Sequence, residues 1–340
     1  MNDAIINPNS WQSNIPRRDL VESFPLPGPL LIWWETTNVC NFKCHFCPES
    51  LPNFMDISGG RGMLTVDQFV PIAQQIKAFG TVQKLEFYLM GEPFVNPNLM
   101  QFVSHCHKNA VAPRLYITSN GSLIRGEKRY ADICASGLNH LKVSIYGATQ
   151  DAHERRTGSK TSLAQIRENI LGLKRYRDER GLKLPVIYVK TITQTEEENA
   201  QFLEMFTEVA DEISIQQWTN WNDQEKDYAP ISKDAMLASQ RYRFKKEVCP
   251  FPFYSLVIHS DLRVSACNVD WNKKAVVGDL NKQTLQEVWN GDVMRLFRLA
   301  HVKRRRCELD ACKNCTFIHT TVDNMDGLTE DTFHARLAPR

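Results

Sequence analysis

Between residues 30 and 218, short apolar runs and amphipathic stretches alternate strictly, and this alternation excludes most folds. Strand-like runs occupy residues 30–35, 84–90, 114–118, 140–146, 184–193 and 212–218. They are bounded by turn-forming or polar residues and are short for helices. Helical patterns fill the gaps. Thr65 is a candidate N-cap for a helix with the apolar face Phe69, Ile72, Ala73 and Ile76, stopped by Gly80. Further helices are predicted over 98–108, 128–135 (stopped by Gly137), 161–180 and 196–210. The inner face of the third carries Leu163, Ile166, Ile170 and Leu173, and that of the last Phe202, Met205, Phe206 and Val209. Strand and helix in alternation predict a parallel sheet with right-handed crossovers. Six such units fall short of a closed eight-unit barrel, which takes about 250 residues. The expected fold is therefore α/β, an open, partial (β/α)6 TIM-like barrel. Sites in such folds gather at the carboxyl ends of the strands.

The first strand leads directly into Cys40-Asn41-Phe42-Lys43-Cys44-His45-Phe46-Cys47. Three thiolates at spacing C-x3-C-x2-C sit on one tight loop and can serve one metal centre. Thiolate-only ligation suits zinc or an iron–sulfur cluster. A structural zinc site is usually closed by four protein ligands, and His45 would have to be the fourth. A cluster held by three cysteines leaves one iron open, and an open iron can bind a substrate or cofactor.

The chain has ten cysteines and no basic-then-apolar export signal at its start. That combination points to metal ligands rather than disulfides and to the cytoplasm. A net charge of +2 gives no reason to expect nucleic acid or an anionic membrane as partner. No apolar run reaches the roughly 20 residues that span a bilayer. Cys106 and Cys134 fall on predicted helices and read as inert core residues.

Several segments beyond the cysteine loop resemble the radical S-adenosylmethionine (SAM) superfamily. Glu35 to Asn41 resembles that family's first strand and cluster loop. Gly91-Glu92-Pro93 resembles its "GGE" motif, where backbone and Glu side chain receive the SAM ammonium. Thr118-Ser119-Asn120-Gly121 is similar to the family's TNG turn. Ser144-Ile145-Tyr146-Gly147, followed by His153 and Arg156, resembles its fourth-strand segment. The resemblance implies that Cys40, Cys44 and Cys47 hold a [4Fe–4S] cluster, with SAM on the open iron. Phe46 would lie near adenine, Ser144 would hydrogen-bond SAM, and Arg156 or Arg155 would fork onto its carboxylate.

The last hundred residues hold Cys249, Cys267, Cys307, Cys312 and Cys315, with Val277-Gly278-Asp279-Leu280 and a short helical stretch ending at Trp289 between them. This order resembles the SPASM/twitch extension, which binds auxiliary [4Fe–4S] clusters. The full extension has more cysteines, so one cluster is expected here, held by Cys249, Cys267, Cys312 and Cys315. Structural zinc on the same thiols is the alternative. Cys307 would be a replacement ligand, a free thiol or a hydrogen donor. The run Lys303-Arg304-Arg305-Arg306 reads as a solvated helix end, with a docking patch for an acidic electron donor as the other reading.

The expected organisation is a lead-in at 1–29, the barrel at 30–218, a linker over its mouth at 219–248, the auxiliary cluster domain at 249–320 and a tail at 321–340. The resemblance implies a radical SAM oxidoreductase acting on a sugar, cyclitol or aminoglycoside-like small molecule in natural-product biosynthesis. A flavodoxin- or ferredoxin-type electron donor is expected. Dehydrogenation is preferred, because an auxiliary cluster can accept the second electron. The alternatives are epimerisation with a cysteine hydrogen donor, peptide modification, for which residues 1–29 leave no room for a leader-binding domain, and a non-enzymatic iron–sulfur or zinc module. Trp218, Trp221, Asn222, Asp223 and Glu225 follow the sixth strand and are candidate substrate residues, with Asp223 or Glu225 as base.

Overall fold

The computed structural model describes residues 5–6, 19–192, 195–216, 246–315 and 317–338. The candidates Trp218, Trp221, Asn222, Asp223 and Glu225 lie outside the described residues. The strands are β1 (Ile5–Ile6), β2 (Leu31–Trp34), β3 (Lys84–Phe87), β4 (Leu115–Ser119), β5 (His140–Ser144), β6 (Val186–Ile192), β7 (Glu212–Gln216), β8 (Ser255–Ile258), β9 (Arg263–Ser265) and β10 (Val276–Asp279). The main helices up to β7 are α1 (Leu20–Ser23), α2 (Phe54–Ser58), α3 (Val66–Phe79), α4 (Leu99–Lys108), α5 (Glu127–Ala135), α6 (Gln150–Thr157), α7 (Leu163–Glu179) and α8 (Glu196–Phe206). No described helix is long and apolar enough to cross a membrane.

All strands share one sheet in the order β1-β7-β6-β5-β4-β3-β2-β8-β9-β10. From β2 to β7, every neighbouring pair is parallel, as the alternation requires. These six strands, with α3, α4, α5, α7 and α8 between them, form the expected partial barrel. Helix α3 starts at a capping box in which Thr65 and Gln68 satisfy each other's backbone, and stops at Gly80. Its inward face is Phe69, Ile72, Ala73 and Ile76, as the periodicity predicts.

Two features of the sheet differ from the expectation. Helix α6 has almost no apolar periodicity in its sequence, so hydrophobic patterning passes over it. Its ends are set instead by the Thr149 side chain, which accepts from Ala152 N, and by left-handed Gly158. The sheet also does not end at β2. Strand β8 pairs parallel to β2 over Leu31–Trp34, and β9 and β10 continue antiparallel. All four residues of β2 are buried, so an open edge there would leave polar backbone groups exposed to pairing, and β8 covers it. One apolar core consequently runs through both parts of the chain, joining Ile32 and Trp34 to Leu256, Ile258, Val288 and Trp289.

Candidate functional site

The cysteine loop leaves the carboxyl end of β2 and is held from three sides. Its own turn closes with Cys47 N donating to Cys44 O at 2.9 Å. The carboxyl end of α6 receives it: Lys43 N donates to Thr157 O at 3.0 Å and His45 N to Arg156 O at 2.9 Å. Gly158 makes this docking close, since a Cβ there would come within 2.7 Å of Lys43 O at a φ of +62°. On the third side, Glu49 bridges the loop to the Gly91-Glu92-Pro93 turn, with Oε2 at 2.9 Å from Lys43 Nζ and Oε1 accepting from Gly91 N at 3.0 Å. Sequence reasoning missed Glu49; its signal is a carboxylate two residues past the last cysteine of the loop.

None of the ten cysteines is in a disulfide. Burial pushes the Cys40 and Cys47 thiols up to about 12 and Cys44 well above its ordinary value, and the negative charge of the neighbouring thiolates adds to this for Cys40 and Cys44. Three half-buried thiols whose surroundings favour the protonated form suit a bound cation, which would deprotonate them and neutralise the charge they would otherwise share. Among the described residues no three His, Cys, Asp or Glu side chains converge on a single ion. His45, which would complete a zinc site, is exposed.

The next two strand ends meet the loop. Gly91 has φ +76°, and a Cβ there would lie 2.4 Å from Thr37 O and 2.9 Å from Val39 N, so only glycine lets this turn reach the segment before Cys40. Glu92 N donates to Val39 O at 3.0 Å. The Glu92 side chain is 2% exposed and turns into the protein, accepting from Ser119 Oγ at 2.8 Å, Asn120 N at 2.7 Å and Phe94 N at 3.2 Å. It therefore clamps the ends of β3 and β4 together, which differs from the expected role as an acceptor facing SAM. Burial pushes its carboxyl up to about 7, against the pull of those three donors. Pro93 opens the short turn that follows. Asn120 Nδ2 donates to Asn41 Oδ1 at 2.8 Å, and Asn41 Nδ2 to Ser122 Oγ at 2.8 Å, tying the β4 turn to the cysteine loop.

Arg156 lies at the loop, with Nη2 on both oxygens of Glu198, each at 2.9 Å, and Nη1 donating to Tyr146 O at 3.3 Å. Arg155 is exposed and pairs with Asp151 one turn earlier. Phe46 is buried and packs edge-on against Tyr146 with centroids 4.5 Å apart, so it is a core contact beside the cysteines. Ser144 ends β5.

The second cysteine group is assembled from distant segments. Cys249, Cys267, Cys312 and Cys315 line one cavity, with Pro252, Phe297, Phe317 and Ile318 among its apolar walls. Burial pushes Cys249 up to about 12 and holds Cys267 well above its ordinary value; each is pushed further by neighbouring cysteines. Four such thiols around one cavity fit a cluster closed by protein ligands. Cys307 is not among them. It is exposed on the turn Arg306–Glu308 and does not line the cavity, which agrees with the free-thiol reading of it. The basic run is a solvated helix end, as expected: it begins at the C-cap of the helix Asp292–Val302, and Lys303, Arg304 and Arg305 are exposed and form surface ion pairs. Lys303 pairs with Glu330 at 2.7 Å, Arg305 with Glu308 at 2.6 Å, and Arg304 with Glu247 at 3.3 Å. Arg306 donates to Cys312 O at 2.7 Å and Cys315 O at 3.2 Å, closing the loop between two thiols.

A buried polar chain joins the two sites. Glu35, at the end of β2, accepts from Ser260 N at 3.0 Å, Ser260 Oγ at 2.7 Å and Met90 N at 3.4 Å. Burial pushes the Glu35 carboxyl up, but His259 and the bonds from Ser260 outweigh it and leave it lowered. His259 Nδ1 is 3.8 Å from Glu35, its Nε2 meets Ser265 Oγ at 2.8 Å, and Ser265 donates to Asp270 at 2.7 Å. Asp270 in turn folds the loop after Cys267 by accepting from Lys274 N and Ala275 N, each at 2.8 Å.

The model of the radical SAM superfamily matches residues 34–206, and that of the SPASM iron–sulfur cluster-binding domain matches residues 249–316. The S-adenosyl-L-methionine-dependent 2-deoxy-scyllo-inosamine dehydrogenase of Niallia circulans is 21% identical over 281 residues, covering 83% of this chain and 90% of that protein. The dTDP-4-amino-4,6-dideoxy-D-glucose ammonia-lyase of Streptomyces venezuelae is 28% identical over 157 residues, 45% of this chain but only 29% of that protein's length. The crystal structure of BtrN in complex with AdoMet and 2-DOIA has the same fold, with a TM-score of 0.55 at 17% identity, covering 89% of this chain and 97% of that one. The chain therefore belongs to the radical SAM superfamily, as an enzyme that uses a [4Fe–4S] cluster and SAM and carries an auxiliary iron–sulfur cluster in a C-terminal SPASM domain.

Proposed function

We propose that the enzyme dehydrogenates a C–H bond of a polyhydroxylated or amine-bearing small molecule of the sugar, cyclitol or aminoglycoside type. Cys40, Cys44 and Cys47 would hold the SAM-binding cluster, and Cys249, Cys267, Cys312 and Cys315 a four-iron auxiliary cluster. When bound, the first cluster supplies the electron that splits SAM into methionine and a 5′-deoxyadenosyl radical, and the second takes up the electron that the substrate radical gives up. Glu49, Gly91 and the carboxyl end of α6 keep the cysteine loop in register with the strand ends. Glu92 and Asn120 fix the adjoining turns so that cofactor and substrate meet a rigid wall.

The observation that carries the reading is the cavity shared by Cys249, Cys267, Cys312 and Cys315. Four protein ligands close a site against substrate and leave it electron transfer as its task. The dehydrogenase of Niallia circulans, matched over 90% of its length, supports the substrate class. Lys190 and Gln216, hydrogen-bonded at 3.3 Å near the ends of β6 and β7, offer polar contacts for such a ligand. A flavodoxin- or ferredoxin-type protein would supply the starting electron.

The test is anaerobic incubation of reconstituted protein with SAM, dithionite and a panel of amino-cyclitols and amino sugars that includes 2-deoxy-scyllo-inosamine. The expected result is 5′-deoxyadenosine together with a product two hydrogen atoms lighter than its substrate. 5′-Deoxyadenosine with a product of unchanged oxidation state would sink dehydrogenation. Stoichiometric zinc with little iron would sink the cluster assignment.

A further inference from the structure

The auxiliary cavity contains one buried side chain that the cluster assignment does not use. His301 lies near the carboxyl end of the helix Asp292–Val302 and is 1% exposed. Its Nε2 is 3.6 Å from Cys312 Sγ, and its ring lines the same cavity as the four cysteines. Nδ1 has no hydrogen-bond partner. The ring packs beside Phe297, with centroids 5.3 Å apart. Packing alone would favour an apolar side chain here, because burying an unpartnered ring nitrogen is unfavourable. The contact to Cys312 is therefore the feature to explain.

We propose that His301 donates a hydrogen bond from Nε2 to the Cys312 sulfur and thereby raises the reduction potential of the auxiliary cluster, making it a better electron acceptor. The inference rests on the reading that Cys249, Cys267, Cys312 and Cys315 hold that cluster. A thiolate bound to iron has no proton to give, so the proton of this contact lies on Nε2. A donor at sulfur draws off electron density. It stabilises the reduced cluster, which carries one more negative charge, more than the oxidised one. The apolar walls at Phe297, Phe317 and Ile318 keep water from screening the effect. His301 is thus a tuning residue, acting through Cys312 without touching substrate.

The experiment is an EPR-monitored redox titration of the full chain carrying Cys40→Ala, Cys44→Ala and Cys47→Ala, so that only the auxiliary cluster is seen. Adding His301→Leu should leave about four irons per chain. It should also make reduction about tenfold harder, a shift of about 59 mV to more negative potential for a one-electron couple. His301→Gln, which restores an N–H donor of similar reach, should recover part of that shift. An unchanged potential in His301→Leu with iron retained would overturn the proposal. Loss of iron in His301→Leu, with circular dichroism unchanged, would overturn it as well and make His301 a ligand or a loop-positioning residue. Absence of iron while His301 is intact would defeat the cluster assignment, and the tuning role with it.

Discussion

The two cysteine groups solve opposite problems. Cys40, Cys44 and Cys47 sit on one continuous loop whose backbone is gripped by the turn at Gly91, by Glu49 and by the end of α6. Cys249, Cys267, Cys312 and Cys315 come from segments that meet only through the fold, around a cavity with apolar walls. On the proposed assignment the first site withholds a ligand and stands at the carboxyl ends of parallel strands, where a ligand can approach. The second would supply every ligand itself. The loop is built to present a metal centre, whereas the cavity is built to enclose one, and the same residue type serves both because ligand count and surroundings differ.

The sharpest way to break this comparison is to remove the loop thiols. Replacing Cys40, Cys44 and Cys47 together by Ala should lower iron from about eight to about four per chain and abolish 5′-deoxyadenosine formation. Iron analysis and chromatography after anaerobic incubation with SAM and dithionite read both quantities. If SAM were still cleaved, the loop would not be the site of that chemistry.

Emptying the cavity should have a smaller and different effect. Cys249→Ala with Cys267→Ala should also cost about four irons, yet leave 5′-deoxyadenosine formation in place while product formation falls to background. Equal loss of both activities, with the loop cluster intact by EPR, would show that the sites cannot be separated in this way. The buried chain from Glu35 through His259 and Ser265 to Asp270 is where such coupling would reside.

A third effect concerns the scaffold of the loop. Gly91→Ala puts a Cβ 2.4 Å from the Thr37 carbonyl oxygen at a φ that only glycine adopts freely, so the turn must move away from the segment before Cys40. We expect a loss of about 1–3 kcal/mol in stability, read by chemical denaturation, and weaker SAM binding by isothermal titration with iron content retained. The same change in the C-terminal tail, Gly327→Ala, meets nothing closer than 3.7 Å and should be close to silent. Equal sensitivity at the two positions would show that strain at Gly91 is not what matters.

What could be read in advance follows the range of each signal. The six barrel strands and the inward face of α3 are written in local periodicity, and the loop cysteines in spacing within eight residues. Long-range pairing left no such trace. Ser255–Ile258 closes the edge of Leu31–Trp34 across more than two hundred residues of sequence, and nothing in either segment names the other. Buried carboxylates were also invisible, because Glu35 and Glu49 are spelled like surface residues until the fold surrounds them. The pairing of Arg156 with Glu198 on another helix is likewise a long-range contact that neither segment signals alone. His301 sits among charged and apolar neighbours in sequence, and only the cavity gives it a role.

The smallest expected effect tests the boundary of the second region. Cys307 is close in sequence to Cys312 and Cys315, so spacing alone cannot tell it from a ligand. In the structure it is exposed on a short turn, while the neighbouring Arg306 reaches inward to the carbonyls of Cys312 and Cys315. On the proposed assignment a thiol facing solvent is neither a cavity ligand nor the hydrogen donor. Cys307→Ser should therefore leave iron content, 5′-deoxyadenosine formation and product yield within experimental scatter. The same reactions run in D₂O sharpen the point. A radical quenched by a thiol takes up solvent deuterium, because thiol hydrogens exchange with water, whereas a radical that loses an electron and a proton keeps none at that carbon. Mass spectrometry of the product should show no deuterium retained there in either protein. Deuterium in the wild-type product, lost together with turnover in Cys307→Ser, would make Cys307 a hydrogen donor and turn the reaction from oxidation to epimerisation.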